Sequence, residues 1–381
     1  MDTQSRILIL SASAGAGHVR AAQAIEDALR AKSTCDVRHV DALDHTSKVF
    51  RRLYQKAYID LVNHAPQALG LLYDRLDKPW KYTRRRLALD QLNTRHFVDL
   101  IKSYDPAWAV CTHFLPAEIV SWLKARRRLR ARLAVVVTDF DVHAMWLYRH
   151  VDRYFVALEE TREHLARLGI PADRITVSGI PIDPRFDAVF DKQAVRRKHG
   201  LEPDRTTILI AAGGFGVGPV EHIVSSMRQL THRAQVVVIC GRSEDLRRRV
   251  EKAAAAPGGD NVVIKVIGFT TEMHELMAAA DLLVGKPGGL TTSEALSQGL
   301  ALVVVNPIPG QEERNADHLL EQGAAVRCNN LPVIAWKIDR LLDDPARLSN
   351  MQEQARRLGR PGAASEIADV LLAAASRSAT G

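Results

Sequence analysis

Short apolar, β-branched runs alternate with longer amphipathic stretches along most of this chain, and that rhythm admits few architectures. Two neighbouring parallel strands need a crossover of a dozen or more residues, usually a helix, so sustained alternation predicts βαβ units on parallel sheets and an α/β fold. In the first half the predicted strands are Ile7–Leu10, Val37–Val40, Ala109–Cys111, Leu133–Val137, Tyr154–Ala157 and Ile175–Val177. The second half offers Thr207–Ala211, Gln235–Ile239, Val262–Val266, Leu282–Val284 and Leu302–Val305. No fixed-period repeat interrupts the pattern, which argues against a solenoid.

At 381 residues the chain is about two to three times the usual domain length, so two domains are expected. Between the halves runs Ile180-Pro181-Ile182-Asp183-Pro184-Arg185-Phe186, then a charged stretch through Gly200 to Pro203. Paired prolines break regular elements, and the strand pattern restarts only at Thr207. The expected division is a first domain over 1–185, a linker over 186–205, a second domain over 206–360 and a closing helix over 361–381 that returns toward the first.

Hydrophobic residues at 46% and charged residues at 25% exclude a disordered or fibrous chain. A net charge of +8 and a pI near 9.4 predict affinity for polyanions, which nucleic acid, an anionic membrane and phosphorylated substrates all satisfy. No nucleic-acid reading motif accompanies the basic residues, so no nucleic-acid partner is expected. Cys35, Cys111, Cys240 and Cys328 lie far apart without a C-x-x-C pair, which argues against zinc or a disulfide framework and suits a reducing cytosol. The first residues carry only Ile7–Leu10 as an apolar run, so no secretory signal is expected. No run approaches the roughly 20 apolar residues that span a bilayer, and any membrane contact should be peripheral.

From His45 to about Asn93 the strand rhythm stops, and aromatics such as Phe50, Tyr54, Tyr58, Tyr73, Trp80 and Tyr82 mix with arginines and lysines through Arg86. Amphipathic helices at a lipid interface would have this composition, and so would a helical pair packed on its own domain. The run Lys124–Arg132 is read as a solvated helix end whose cations suit the C-terminal dipole.

Three motifs carry chemistry. Ser11-Ala12-Ser13-Ala14-Gly15-Ala16-Gly17-His18 turns from the first strand into a helix, where glycines let the backbone approach a ligand. A dinucleotide fingerprint fits badly, because its third glycine would fall at Arg20, although Asp41 ends the next strand as a ribose partner would. His18 has two readings: a general base, or an imidazole that caps its helix or donates to a nearby carbonyl. Thr138-Asp139-Phe140-Asp141-Val142-His143-Ala144-Met145-Trp146 follows a strongly apolar strand, at the carboxyl end where α/β sheets bind ligands. Position favours function for Asp139 and His143, while Asp139 and Asp141 can also cap the next helix. Gly285-Lys286-Pro287-Gly288-Gly289-Leu290-Thr291-Thr292-Ser293-Glu294 joins free backbone N–H groups to a helix start near Thr292, which suits a diphosphate held without a metal. Glu294 either completes a capping box with Thr291 or accepts from ribose hydroxyls. Asn306-Pro307 through Gln311-Glu312 supplies amide and carboxylate groups for sugar hydroxyls. Gly213-Gly214-Phe215-Gly216 and Cys240-Gly241-Arg242 end two further strands.

In that order, and with Gly179-Ile180-Pro181-Ile182 and Gly268-Phe269-Thr270, these segments resemble the family 28 glycosyltransferases of the GT-B class. They are similar in particular to monogalactosyldiacylglycerol synthases and processive diacylglycerol β-glucosyltransferases, over nearly the whole chain. The resemblance implies two Rossmann-like domains facing each other across a cleft, with UDP-sugar bound mainly by the second and a lipid acceptor by the first. It implies that Gly288, Gly289 and Thr291 or Thr292 hold the diphosphate, Glu294 the ribose, Phe269 with Thr270 the uracil, and Gln311 with Glu312 the sugar. Gly213, Gly214, Phe215, Gly216, Gly241, Arg242 and Lys286 join that donor site; Gly15, Gly17, His143 and Trp146 form an acceptor loop. His18 would deprotonate the acceptor hydroxyl, supported by Asp139, and the reaction would invert the donor's α-linkage. The implied activity is transfer of a hexose from UDP-glucose or UDP-galactose to diacylglycerol or glycosyldiacylglycerol, with no metal or cofactor required. The partners implied are UDP-hexose, diacylglycerol and an anionic membrane surface met by segment 45–93, at the cytoplasmic inner face of the cell membrane. The alternatives are another lipid or soluble acceptor, or a non-catalytic UDP-sugar- or lipid-binding protein.

Overall fold

A computed structural model describes residues 6–13, 15–47, 51, 66–80, 94–212, 219–256 and 259–379. The chain forms two compact units: residues 1–184 with 309–311 and 360–381, and residues 185–308 with 312–359. Each unit contains a six-stranded sheet whose neighbouring strands all run parallel.

In the first unit the strands are β1 (Arg6–Ser11), β2 (Asp36–Asp41), β3 (Trp108–Cys111), β4 (Arg132–Val136), β5 (Arg153–Val156) and β6 (Ile175–Val177), in the spatial order β2-β1-β3-β4-β5-β6. Side chains alternate across the sheet, and both faces are apolar because both are covered. Leu8, Leu10, Ala109, Cys111, Leu133, Val135 and Tyr154 share one core with the helices Arg95–Tyr104 and Phe114–Ala125. Ile7, Ile9, Val110, Ala134, Val136 and Phe155 face the other way, against Ala22, Ile25 and Leu29 of the helix Ala16–Lys32. That second layer is completed by Ile367, Ala368 and Leu371 of the C-terminal helix Ala363–Ala379. Sheet continuity explains why these strands read as unbroken apolar runs.

The second unit is built from β7 (Thr206–Ala211), β8 (Ala234–Ile239), β9 (Val262–Ile267), β10 (Leu282–Gly285), β11 (Ala301–Val305) and β12 (Ala325–Cys328), ordered β12-β11-β10-β7-β8-β9. The strand Ala325–Cys328 had no expectation: it is four residues long, contains an arginine, and pairs only with β11 at the sheet edge. Residues 186–205, read from the sequence as a linker, carry the helix Lys192–Lys198 and belong to this unit. The buried Arg196 explains why. Its guanidinium donates to the carbonyls of Ala279 (2.9 Å) and Pro203 (2.7 Å) and to the carboxylate of Asp281 (2.6 Å). Asp281 also accepts from Lys192 (2.5 Å) and from the Thr207 amide (2.8 Å), so one carboxylate ties the helix to the starts of β7 and β10.

The C-terminal helix supplies a large share of one core layer, so truncating a fully buried contact should be felt by the whole first unit. Leu371→Ala is expected to destabilise that unit by about 2–4 kcal/mol, the usual cost of a large-to-small core change, read as an earlier transition in urea unfolding.

Candidate active site

In a doubly wound sheet, loops at the carboxyl ends of the strands diverge where the strand order reverses, and the crevice left there is the usual ligand site. In the first unit that point adjoins β1, which has β2 on one side and β3 on the other. The helix Ala16–Lys32 leaves β1 there with Gly15 as its N-cap, in extended backbone and with no side-chain capping bond. Gly17 and His18 fall in the first helical turn.

His18 is gripped by the ends of two neighbouring strands. Its Nδ1 lies 2.9 Å from the carbonyl oxygen of Thr112, just after β3, and 2.9 Å from Oγ1 of Thr138, just after β4. Thr112 grips it twice, since its own hydroxyl donates to the His18 carbonyl at 2.8 Å. A carbonyl oxygen only accepts, so Nδ1 must carry the proton, and the neutral ring then holds its lone pair on Nε2. The His113 ring packs edge-on at 4.6 Å between centroids, and the buried Trp146 ring is 6.3 Å away. Burial among these groups pushes the His18 imidazole down to about 4, against the Thr112 hydrogen bond, which favours the charged ring. The second sequence reading is met in one of its two forms, since the carbonyl contact is present and the helix cap is not; the same contact fixes the proton on Nδ1 and leaves the lone pair on Nε2, as the first reading needs.

The other first-unit residues divide by role. The carboxylate of the buried Asp139 accepts a hydrogen bond from the side-chain amide of Gln311, in the 309–311 stretch that groups with this unit. Gly310 in that stretch has φ +89°, and a Cβ there would meet the Tyr73 ring at 2.6 Å, so only glycine fits. Both ring nitrogens of His143 are engaged: Nδ1 accepts from the Met145 amide (3.0 Å) and Nε2 donates to the Tyr73 carbonyl (2.9 Å), with the Tyr73 ring 4.0 Å away. His143 thus clamps the helix Pro66–Leu76 to the loop after β4. Asp41, the acid a dinucleotide site would need, caps the turn Ala42–His45 and accepts from the Ser13 amide, a structural use. Of the aromatic basic segment 45–93, most lies outside the described residues. In its helix Pro66–Leu76, Tyr73 packs inward while Leu71 is 70% exposed, so the described part shows both a packed and an open face.

In the second unit the strand order reverses between β7 and β10. The turn after β10 delivers Gly288 as N-cap of the helix Gly289–Ser297, three residues earlier than the sequence suggested, with no side-chain capping bond. Thr291 and Glu294 are therefore inside the helix, and the capping box is not formed. The first-turn N–H groups of Gly289, Leu290 and Thr291 have no carbonyl of their own helix to bond, and the positive end of the helix dipole adds to them. The Thr292 hydroxyl is buried without a hydrogen-bond partner among the described residues. The buried Asn315 donates to the Pro287 carbonyl (3.1 Å) and holds the turn in place.

Beside that turn stand Lys286 and Glu312. Burial pushes the Lys286 ammonium below and the Glu312 carboxyl above their ordinary ranges, and their mutual attraction opposes both shifts. Glu312 accepts from the Ile308 amide (2.7 Å), and a Cβ on Gly288 would sit 3.6 Å from its other oxygen. Further along the same edge, the Arg242 guanidinium lies 4.7 Å over the ring of Phe269, which is 58% exposed. Gly241 has φ +62°, and Thr270 Oγ1 accepts from the Glu272 amide. Gly213, Gly214, Phe215 and Gly216 lie outside the described residues.

Thr112, His113, Tyr73 and Asn315 were not among the expected site residues. Thr112 had a usable signal, since it is the first residue after a predicted strand and so on the ligand edge; the other three act through contacts distant in sequence.

Residues 18–182 match the family described as monogalactosyldiacylglycerol (MGDG) synthase, and residues 191–358 the family described as glycosyl transferases group 1. The chain is 31% identical to a processive diacylglycerol β-glucosyltransferase of Bacillus cereus, covering 98% of this chain and 95% of that one. It is 32% identical to one from Staphylococcus haemolyticus, over 83% of this chain and 79% of the other. Among solved structures it is similar to Acinetobacter baumannii MurG, with a TM-score of 0.65 and 17% identity over 96% of this chain and 99% of that one. Another is Anabaena HepE in complex with UDP-glucose, at a TM-score of 0.57 and 15% identity over 97% of this chain and 99% of that one.

The His18 geometry has a spectroscopic consequence. Nitrogen-15 NMR should find His18 as the Nδ1–H tautomer titrating at about 4 instead of 6.5, so it is neutral at neutral pH. On acidification the unfolded chain takes up this proton first, so His18 should cost stability as pH falls from 6.5 toward about 4. A ring titrating near 6.5 would contradict the buried arrangement.

Proposed function

Because the chain belongs to the family 28 glycosyltransferases and has the two doubly wound units of their GT-B class, we propose that it transfers a hexose from a UDP-sugar to diacylglycerol at a membrane surface. The donor is UDP-glucose or UDP-galactose; the names of the full-length relatives favour glucose. The single observation that carries the chemistry is the Nδ1–H bond from His18 to the Thr112 carbonyl, which leaves Nε2 as a base at neutral pH.

In this mechanism His18 Nε2 takes the proton of the lipid hydroxyl as that oxygen attacks the anomeric carbon. The carbon–oxygen bond to UDP breaks with inversion, and the α-linked donor yields a β-glycoside. The imidazolium formed is stabilised by its bonds to the Thr112 carbonyl and the Thr138 hydroxyl, and Asp139, one residue on, adds a negative charge to the same loop. The leaving UDP gains negative charge, which the N–H groups of Gly289, Leu290 and Thr291 and the ammonium of Lys286 are suited to receive. A diphosphate arriving beside the Lys286 ammonium would supply the negative charge that its burial leaves wanting. Arg242 and Phe269 offer a flat aromatic face for the uracil ring. These donors supply the charge a divalent cation would otherwise bring. Among the described residues no helix is long and apolar enough to cross a membrane, and the +8 charge with the open Leu71 face supports docking on an anionic surface through segment 45–93.

Purified protein incubated with UDP-glucose or UDP-galactose and diacylglycerol vesicles should release UDP and form a β-glycosyl lipid. Failure to glycosylate any lipid acceptor would overturn the assignment. His18→Ala should lower kcat by about 10²–10⁴ while leaving UDP affinity within a few-fold, the range for loss of a general base. Lys286→Ala should instead weaken UDP binding.

A further inference from the structure

A glycine inside a helix weakens it, so what lies against such a position explains why a side chain is missing there. Gly70 sits within the helix Pro66–Leu76 and is buried, while Leu71 and Leu72 beside it are exposed. It faces Pro309. A Cβ at position 70 would lie 2.8 Å from the Pro309 Cβ, well inside the roughly 3.5–4.0 Å at which non-bonded carbons rest. One turn further along, the helix meets the next residue of the same loop in the reverse sense. Gly310 takes its left-handed φ of +89°, and a Cβ there would meet Cδ1, Cγ and Cβ of Tyr73 at 2.6, 2.7 and 3.1 Å. A glycine of the helix thus receives a residue of the loop, and a glycine of the loop receives a residue of the helix.

The helix in this interlock is pinned from its other side. His143 Nε2 donates to the Tyr73 carbonyl at 2.9 Å, and its ring packs on the Tyr73 ring at 4.0 Å. The Asp77 carboxylate, just past the helix end, accepts from the Ala144 amide at 2.9 Å. The loop after β4 therefore holds the helix, and the helix holds Pro309 and Gly310. That same loop carries Asp139, which accepts from the side-chain amide of Gln311. Gln311 is fixed twice, at its backbone through Gly310 and at its amide through Asp139. All of these residues belong to the first unit. Neither a proline ring carbon nor the root of a tyrosine ring can swing aside as the end of a long side chain can, so a displaced helix would carry the loop with it.

We propose that Gly70 and Tyr73 are positioning residues for the hexose of the donor: their interlock sets the place of Gln311, and of Glu312 after it, and so governs how the sugar is held without governing how UDP is held. This rests on the transfer reaction proposed above, with the amide of Gln311 and the carboxylate of Glu312 on sugar hydroxyls. The turn at Gly288 and the Arg242–Phe269 pair take no part in the interlock, so the two portions of one substrate are separable by experiment.

Alanine at position 70 is the probe, because it favours the helix and adds only the Cβ. In the full chain Gly70→Ala should lower kcat/KM for the UDP-hexose about tenfold or more, while titration calorimetry finds UDP bound within about twofold of wild type. Pro309→Gly takes away the atom that the new Cβ would strike. In that background Gly70→Ala should cost no more than about twofold, whereas in a Pro309→Ala background, which keeps the Cβ, it should cost nearly the full tenfold. Tyr73→Ala empties the other half of the interlock; it is held to the same contrast between UDP-hexose and UDP, and serves if Gly70→Ala melts early. An unaffected Gly70→Ala chain, an equal loss for UDP and UDP-hexose, or the same loss with and without the Pro309 Cβ would each overturn the interlock. Wild-type chain that turns over no UDP-hexose would instead overturn the transfer reaction, and the proposal with it, so the two failures are told apart by which protein fails.

Discussion

A parallel sheet sends every strand's last residue to the same edge, so the groups that follow successive strands are gathered there whatever their distance in sequence. In the first unit this brings Thr112 and Thr138 to His18, which are 94 and 120 residues away along the chain. The same rule in the second unit gathers the turns after β8, β9, β10 and β11. The role proposed for His18 rests on that gathering, because both groups bonded to its Nδ1 come from strands distant in sequence.

The two units use opposite electrostatic strategies. Around His18 the sheet supplies a carbonyl, a hydroxyl and aromatic rings, and no carboxylate is among the groups bonded to Nδ1. The imidazole is kept neutral, and its proton is fixed at the nitrogen that faces the protein. Around Gly288 the sheet supplies unbonded N–H groups and an ammonium balanced by one carboxylate, which together favour a negative ligand. A proton acceptor needs a free lone pair, which the Thr112 contact with Nδ1 leaves on Nε2 of His18, and a phosphate needs free donors, which the helix N-terminus at Gly288 supplies.

The glycine turns were legible because glycine and a strand-to-helix boundary leave a compositional trace. Gly288-Gly289 and Gly15 were placed correctly at such turns, though the helix after Gly288 begins sooner than the threonine pair suggested. Glu294 illustrates the limit: its spacing from Thr291 matches a capping box, and only the observed helix start shows that the box is not formed. His143 was read for its position after a strand, and the structure adds that both of its nitrogens secure the helix carrying Tyr73. The stretch 186–205 looked like a linker because prolines flank it, and Asp281, some 85 residues later, makes it part of a unit.

By itself the sequence determined the α/β class, the parallel sheets and the approximate strand positions, because apolar periodicity and turn chemistry are local and survive without the fold. It also determined the family, through short motifs kept in order. Only the tertiary structure decided which His18 nitrogen carries the proton and that Asp281 ties residues 186–205 into the second unit. Those are properties of pairs distant along the chain, and a hydrogen bond or a charge field depends on separation in space, which no local pattern encodes.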